Sequence, residues 1–203
     1  AHTVRLQSGF RVIYGPVQAA DIRTFLENDL QVTEKMRTVS FSLAERFILI
    51  PVEINTFSRK LWWLFPILFL LSGLGTSFFS VEAAWQRGLV SSGAVLLGGF
   101  LGAVVAPLLL PWIPGRAFSL KGAIVGVIFG AMSVQALAML SLLEMVSVIF
   151  IITAISSYLC MNFTGSTPYT SPSGVEKEMK IGIPLQVAAA VAAAVLWLVS
   201  PFV

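Results

Sequence analysis

Histidine and cysteine are nearly absent, one of each in 203 residues. With Cys160 alone, the chain cannot form an internal disulfide or a multi-cysteine metal or iron–sulfur site. His2 has no second histidine with which to complete a metal site. Charge is scarce too: 11% of residues are Asp, Glu, Lys or Arg, where a soluble domain carries about a quarter. With 57% hydrophobic residues and a mean hydropathy of +0.88, this excludes an ordinary soluble domain and leaves an integral membrane protein. A formal charge of +3 gives no reason to expect nucleic acid as a partner. The opening residues contain neither an initiator Met nor a basic segment leading into an apolar one. They are therefore not expected to be a signal peptide, and Ala1 need not be the natural start.

Five apolar runs are long enough to cross roughly 30 Å of hydrocarbon as helices. They lie at about Leu61 to Phe79, Leu89 to Ile113, Ala117 to Leu140, Leu142 to Phe163 and Ile183 to Val203. The turn around Ser141 to Glu144 is the weakest boundary. With the N-terminal part in the cytoplasm, every Lys and Arg except Arg87 falls on the cytoplasmic side, as the positive-inside rule expects of a multi-pass inner-membrane protein. Trp62, Trp63, Trp85 and Trp112 fall near predicted span ends, where indoles anchor. Gly98 and Gly102, and Gly122, Gly126 and Gly130, recur at four-residue spacing and predict smooth faces for close helix packing.

No predicted span has a central Asp, Glu, Lys, Arg or His, so the usual signature of a proton or ion path is missing. Glu82 and Glu144 fall at span ends and read as solvated. Cys160, deep in an apolar run, reads as a packing residue rather than a nucleophile. By local chemistry alone the chain has no catalytic residue.

The first sixty residues are more polar. Phe10 to Val17 (FRVIYGPV) predicts a buried strand ending at a Gly-Pro turn, and Ala20 to Leu26 predicts a helix with Asp21 at its start. Strand, turn and helix make half a βαβ unit. In doubly wound folds the turn after a strand borders the ligand crevice, which singles out Tyr14, Gly15, Pro16 and Val17; the plainer reading is a turn and nothing more. One strand and one helix cannot bury a core alone, which implies further sequence or a partner. Met36 to Phe41 predicts a second short strand. Ser42-Leu-Ala-Glu45 then fits a capping box. Residues 42–60 mix apolar Phe47, Ile48 and Leu49 with Glu45, Arg46, Glu53, Arg59 and Lys60. They predict an interfacial amphipathic linker, kinked near Pro51, with a β-hairpin as the alternative.

Asn162 to Lys180 (NFTGSTPYTSPSGVEKEMK) is a polar stretch between the last two apolar runs, crowded with Ser, Thr, Gly and Pro. It reads as a cytoplasmic loop over 162–182. It is either a solvated linker or a hydrogen-bonded loop that docks on something, on the same side as the polar N-terminal part.

Two stretches carry a family resemblance. GFRVIYGPVQAADIRTFL with MRTVSFSLAERFILIPVEI resembles the end of the corrinoid-binding domain of the mercury-methylating corrinoid membrane proteins. MNFTGSTPYTSPSGVEKEMKIGIPLQ resembles the loop before that family's last span. The first stretch is more distantly similar to the corrinoid iron–sulfur subunit of CO dehydrogenase/acetyl-CoA synthase complexes. The resemblance implies a mainly α chain: a five-helix transmembrane bundle over 61–203, preceded in 1–41 by the C-terminal remnant of a Rossmann-like α/β corrinoid domain. It implies a cobalamin-type corrinoid as cofactor, methyl transfer from cobalt to Hg(II) as substrate, and a ferredoxin-like iron–sulfur partner. On this reading Tyr14, Gly15, Pro16 and Val17 border the corrinoid. Asn162, Phe163, Thr164, Gly165, Ser166, Thr170, Ser173 and Gly174 face it or the partner. The family's Asn-(Val/Ile)-Trp-Cys-Ala-(Ala/Gly)-Gly-Lys helix, whose cysteine is the lower cobalt ligand, does not occur in this sequence. The chain is therefore expected to be part of a methyltransferase that is not competent alone. The alternative is a non-catalytic five-span anchor or a transporter-type module for a soluble partner.

Overall fold

Where no water reaches the backbone, an apolar run satisfies its own N–H and C=O groups by coiling into a helix. The computed structural model is accordingly mainly helical; it describes all residues except 1–5, 11, 38–41, 77, 138 and 166–171. The chain divides into two compact units, Ala1–Phe41 and Ser42–Val203.

The first unit holds a 3-10 turn, Ala19–Asp21, and two short helices, α1 (Ile22–Glu27) and α2 (Glu34–Arg37). Phe25 and Met36 are buried in it, and the Val17 N–H donates to the Met36 carbonyl at 3.1 Å. The helix expected over 20–26 is present as the 3-10 turn and α1 together. The strand expected over 10–17 is not. Phe10 and Val12 to Val17 are irregular, and no other segment of the unit's described residues offers the ladder a strand needs. Met36 and Arg37 are helical rather than the start of a second strand, and residues 38–41 lie outside the described residues.

The second unit begins with α3 (Leu43–Ser72), one residue after Ser42, where the capping box puts a helix start. Pro51 and Pro66 lie inside this helix and do not end it. The expected interfacial linker over 42–60 is thus not a separate element; it is the first half of one 30-residue helix. Leu74–Gly75 (β1) and Phe78–Phe79 (β2) then pair as a minimal hairpin where the first span was expected to continue. Ser80 caps α4 (Val81–Leu109), its Oγ accepting from the Ala83 N–H at 3.3 Å. Within α4, Leu101–Val105 forms a π-helical turn. Pro107 follows after Ala106; its ring crowds the carbonyl four residues back, and a widened turn is one way for a helix to accommodate that. Gly115, at φ +106°, turns the chain towards α5 (Phe118–Gln135). Last come α6 (Leu142–Gly165) and α7 (Pro172–Val199), with Pro172 at the first helical position, where its missing N–H costs nothing.

Among the described residues, four helical segments are long and apolar enough to cross a bilayer: Val81–Leu109, Phe118–Gln135, Leu142–Phe163 and Gly174–Phe202. They mark a multi-pass membrane protein. The apolar part of α3, Leu61–Ser72, is shorter. Trp85 and Trp112 are exposed near the ends of α4, as anchors would be. Trp62 and Trp63, also exposed, lie well inside α3 rather than at a helix end.

Glycine decides how these helices meet. A Cβ on Gly102 would stand 2.7 Å from the Ser156 carbonyl oxygen of α6, and one on Gly98 3.1 Å from that of Ile152. From α5, a Cβ on Gly122 would stand 2.5 Å from the Ser156 oxygen, and one on Gly126 2.6 Å from Thr153 Cα. Both glycine stripes therefore press on one helix, α6, backbone against backbone. Along α4 the partner is α3, running antiparallel: Phe69 lies against Gly88, Phe57 against Gly99, and Arg46 reaches Pro107 and Leu108.

Because Thr153 Cα cannot move away from a new side chain, Gly126→Val should destabilise the unit by roughly 1–3 kcal/mol or more. A Cβ on exposed Gly93 meets nothing within 4 Å, and Gly93→Ala should be neutral or stabilising. Thermal unfolding of both variants in one detergent checks the contrast.

Candidate functional site

The residues singled out in the sequence fall in both units, Tyr14 to Val17 in the first and Asn162 to Gly174 in the second. Tyr14 is 75% exposed, Gly15 and Val17 are exposed, and Pro16 is half-buried, all on irregular backbone of the first unit. The stretch read as a loop over 162–182 is largely helix. Asn162, Phe163, Thr164 and Gly165 are the last residues of α6, and Ser173 and Gly174 open α7. Phe163 is fully buried, Asn162 is half-buried and Gly174 is exposed. Ser166 and Thr170 lie outside the described residues. The polar composition was read as turn-forming, but the apolar runs on either side extend their helices into it. Among the described residues, no group of three His, Cys, Asp or Glu side chains could hold a metal ion. Cys160 is buried in α6 against Gly122.

The structure instead gathers polar groups that the sequence reading left apart. At the hairpin end of the bundle, Arg87 Nε donates to Glu144 Oε1 at 2.8 Å, both side chains being almost fully enclosed. Its two terminal nitrogens donate to the Ser72 carbonyl at 3.1 Å, the Leu74 carbonyl at 3.5 Å, the Trp197 carbonyl, and Ser200 Oγ at 2.8 Å. All five guanidinium donors are thus occupied. The Trp197 ring lies 4.7 Å from the guanidinium carbon, and its indole N–H donates to Ser72 Oγ at 2.9 Å. Glu144 also accepts from the Ser141 N–H at 3.0 Å while Ser141 Oγ accepts from the Glu144 N–H at 3.4 Å, a capping box at the start of α6. The expectation of a solvated Glu144 is therefore corrected: it is largely enclosed, and its one carboxylate both caps a helix and neutralises Arg87. Arg87 is likewise no free charge beyond a span end. The signal for the cap, Ser-Leu-Leu-Glu, stood in the sequence in the same form as Ser-Leu-Ala-Glu at Ser42.

At the opposite end, Arg46, expected among the polar residues of an interfacial linker, is buried. It donates to the Pro107 and Leu108 carbonyls at 3.2 and 2.7 Å, where the negative end of the α4 dipole favours a cation. Lys121 Nζ donates to the Leu110 carbonyl at 2.5 Å. Ala117, which precedes α5, has no side chain to cap it; Glu178 of α7 does so from across the bundle, accepting from the Ser119 N–H at 2.5 Å. From there a chain of hydrogen bonds runs inward. The Ser119 carbonyl accepts from Ser157 Oγ at 2.9 Å, and Ser157 Oγ accepts from Gln186 Nε2 at 2.9 Å. Glu178, Ser157 and Gln186 line a cavity of about 320 Å³ bounded by α5, α6 and α7. Gln186 also borders a second cavity of about 330 Å³, whose lining includes Thr56, Tyr158 and Asn162.

Comparison with protein-family models, curated proteins and solved structures returns no match.

The Arg87 cluster is a clamp between the end of α3, α4, the start of α6 and the end of α7. Arg87→Met, which leaves a largely enclosed Glu144 without its counter-charge, should cost up to about 3 kcal/mol. Adding Glu144→Leu to it should recover part of that loss. Unfolding midpoints of the two single variants and the double variant measure the coupling directly.

Proposed function

We propose that this chain is the membrane portion of a corrinoid-dependent methyltransferase that passes a methyl group to Hg(II). The observation that carries the reading is the paired likeness of 9–26 with 36–54, and of 161–186, to the mercury-methylating corrinoid membrane proteins. On this reading residues 1–41 are the last part of a Rossmann-like cytoplasmic corrinoid domain, and the helices from α3 onward form the family's five-span bundle. The N-terminal side is cytoplasmic and the membrane is the inner one. The placement of Arg46, Lys121 and Lys177 at one end of the bundle supports this orientation. So does the neutralisation of Arg87 by Glu144 at the other end.

The described residues do not by themselves fit a corrinoid. The 14–17 turn is open, the first unit contains no cysteine, and Cys160 is enclosed in α6. No step of methyl transfer is assigned to side chains of this chain. Its part is to hold the corrinoid domain at the membrane, with Tyr14 to Val17 contributing one edge of the cofactor's surroundings. The implied partner is a ferredoxin-like iron–sulfur protein.

The test compares the 203-residue chain with a form extended upstream to include the family's cysteine helix, by absorption spectroscopy of each purified in detergent. The extended form should carry a corrinoid with a thiolate-ligated cobalt spectrum, and the 203-residue chain should carry none. An extended form without corrinoid would sink the reading and leave the non-catalytic membrane module.

A further inference from the structure

Two close contacts fix the depth of the middle of α3. The Phe57 ring lies against Gly99 of α4, and a Cβ on the adjacent Gly98 would stand 3.1 Å from the carbonyl oxygen of Ile152, midway along the α6 span Leu142–Phe163. Arg59 comes less than one turn after Phe57, about 3 Å of helical rise, so it too lies near the middle of the bundle's height. It is exposed, and no carboxylate among the described residues pairs with it. A lone guanidinium at that depth is costly against lipid tails, so something polar covers it.

The surface around Arg59 has the chemistry of a membrane boundary. Asn55, Thr56 and Ser58 before it are exposed and polar. Trp62 and Trp63 after it are each 81% exposed, and indoles settle at headgroup level. The apolar part of α3, Leu61–Ser72, is about 18 Å long at the rise of a helix, well short of roughly 30 Å of hydrocarbon. A short apolar face is accommodated by local thinning of the bilayer. Ser72 lies at the hairpin end with the Arg87 clamp, so the missing thickness is on the Arg46 side.

A lipid chain has a place beside this boundary. From the Trp197–Ser72 bond towards the Arg46 end, α3 and α7 flank two cavities, about 190 and 330 Å³, that both reach α6. The two share Leu64, Ala154, Ile155 and Ala190 and so form one apolar cleft. Between Leu71 and Thr56 it runs ~22 Å at helical rise, enough for a chain that crosses half of the hydrocarbon. Thr56, in its lining, and Arg59 are surface neighbours at i and i+3. The paired indoles and the alkyl-sized cleft favour a lipid over a protein helix as the cover for Arg59.

We propose that the outer face of α3 binds a phospholipid of the leaflet on the Arg46 side, drawn in to mid-depth, with its phosphate on Arg59 and one acyl chain in the cleft between α3 and α7. The guanidinium fork suits a pair of phosphate oxygens, and the thinned leaflet brings them within its reach. The site is independent of the methyltransferase reading and stands or falls separately from it.

The test uses the whole chain in nanodiscs of phosphatidylethanolamine and phosphatidylglycerol. Nitroxides are attached at Ser58→Cys and, as a control, at Val127→Cys; the native Cys160 is buried and out of reach. Val127 is exposed on α5 next to Gly126, which abuts Thr153 of α6, so the two labels stand at similar depth. A water-soluble paramagnetic relaxer should outweigh oxygen at 58, and oxygen should outweigh it at 127. Phosphatidylglycerol with a diazirine at the end of one chain, photolysed and mapped by mass spectrometry, should label the α3, α6 and α7 residues of the cleft. Arg59→Gln should cut that labelling about tenfold, the worth of a hydrogen bond to a charged group, and Arg59→Lys should keep most of it. Ala190→Leu, which fills the cleft from an exposed position, should also remove it. A label at 58 that reads as hydrocarbon, or that is shielded from both relaxers as beneath a partner helix, would overturn the assignment. So would unchanged photolabelling of the Arg59→Gln protein.

Discussion

The approach of three backbones at α6 sets the geometry of the membrane unit. In hydrocarbon, helices gain nothing by hiding apolar surface from one another, so association depends on packing contact and interhelical hydrogen bonds. Gly102 of α4 and Gly122 and Gly126 of α5 let both helices reach the α6 backbone from different sides. Once they are that close, short side chains can bridge them. Ser156 Oγ reaches the Gly122 carbonyl at 2.8 Å, and Ser147 Oγ reaches the Ala193 carbonyl of α7 at 2.7 Å. A larger residue at any of these glycines would remove the contact and, with it, the reach of the serines. The Ser156 bond to α5 thus follows from the glycine at which it is made.

Around that seam the two ends of the bundle hold polar groups in opposite states. At the hairpin end every donor of Arg87 is engaged, and Glu144 serves two partners. A saturated cluster of this kind has no valence left for a ligand, so it is a clamp. At the other end the chain Glu178, Ser119, Ser157, Gln186 is satisfied link by link until its last oxygen, which is buried without a partner. The clamp holds α3, α4, α6 and α7 together where their ends converge.

The helices α4 to α7 were legible in the sequence because length and apolarity alone require them, and the glycine spacing announced the faces on which α4 and α5 pack. The Arg87–Glu144 pair was not legible. The two residues are 57 positions apart, and each, judged against the end of its own apolar run, reads as a surface charge. Trp197 and Gln186 were missed for the same reason: within α7 nothing distinguishes them until Ser72 and Ser157 are brought alongside. The apolar, β-branched run at 10–17 misled because its composition suits a strand, whereas a strand exists only beside another. The docking loop read at 162–182 was drawn too wide, since helices on both sides run into its polar residues before they end.

The register of α3 is the point at which local chemistry and packing disagree, and packing prevails. Glu53, Arg59 and Lys60 would favour a helix lying on the bilayer surface, which was the expectation for 42–60. Three contacts oppose that: the Phe69 ring against Gly88, the Phe57 ring against Gly99, and Arg46 on the Pro107 and Leu108 carbonyls. Their positions advance on α3 as they retreat on α4, so they fix one antiparallel alignment over most of the helix. A slide by one turn would break all three together and leave Arg46 buried without its carbonyls. The alignment sets Glu53 and Arg59 beside the middle of α4, Glu53 buried and Arg59 on the outer face. The first half of α3 is therefore amphipathic for a reason other than surface binding. Arg46, Ile50, Glu53 and Phe57 are its enclosed positions, while Phe47, Ile48, Val52 and Ile54 are exposed.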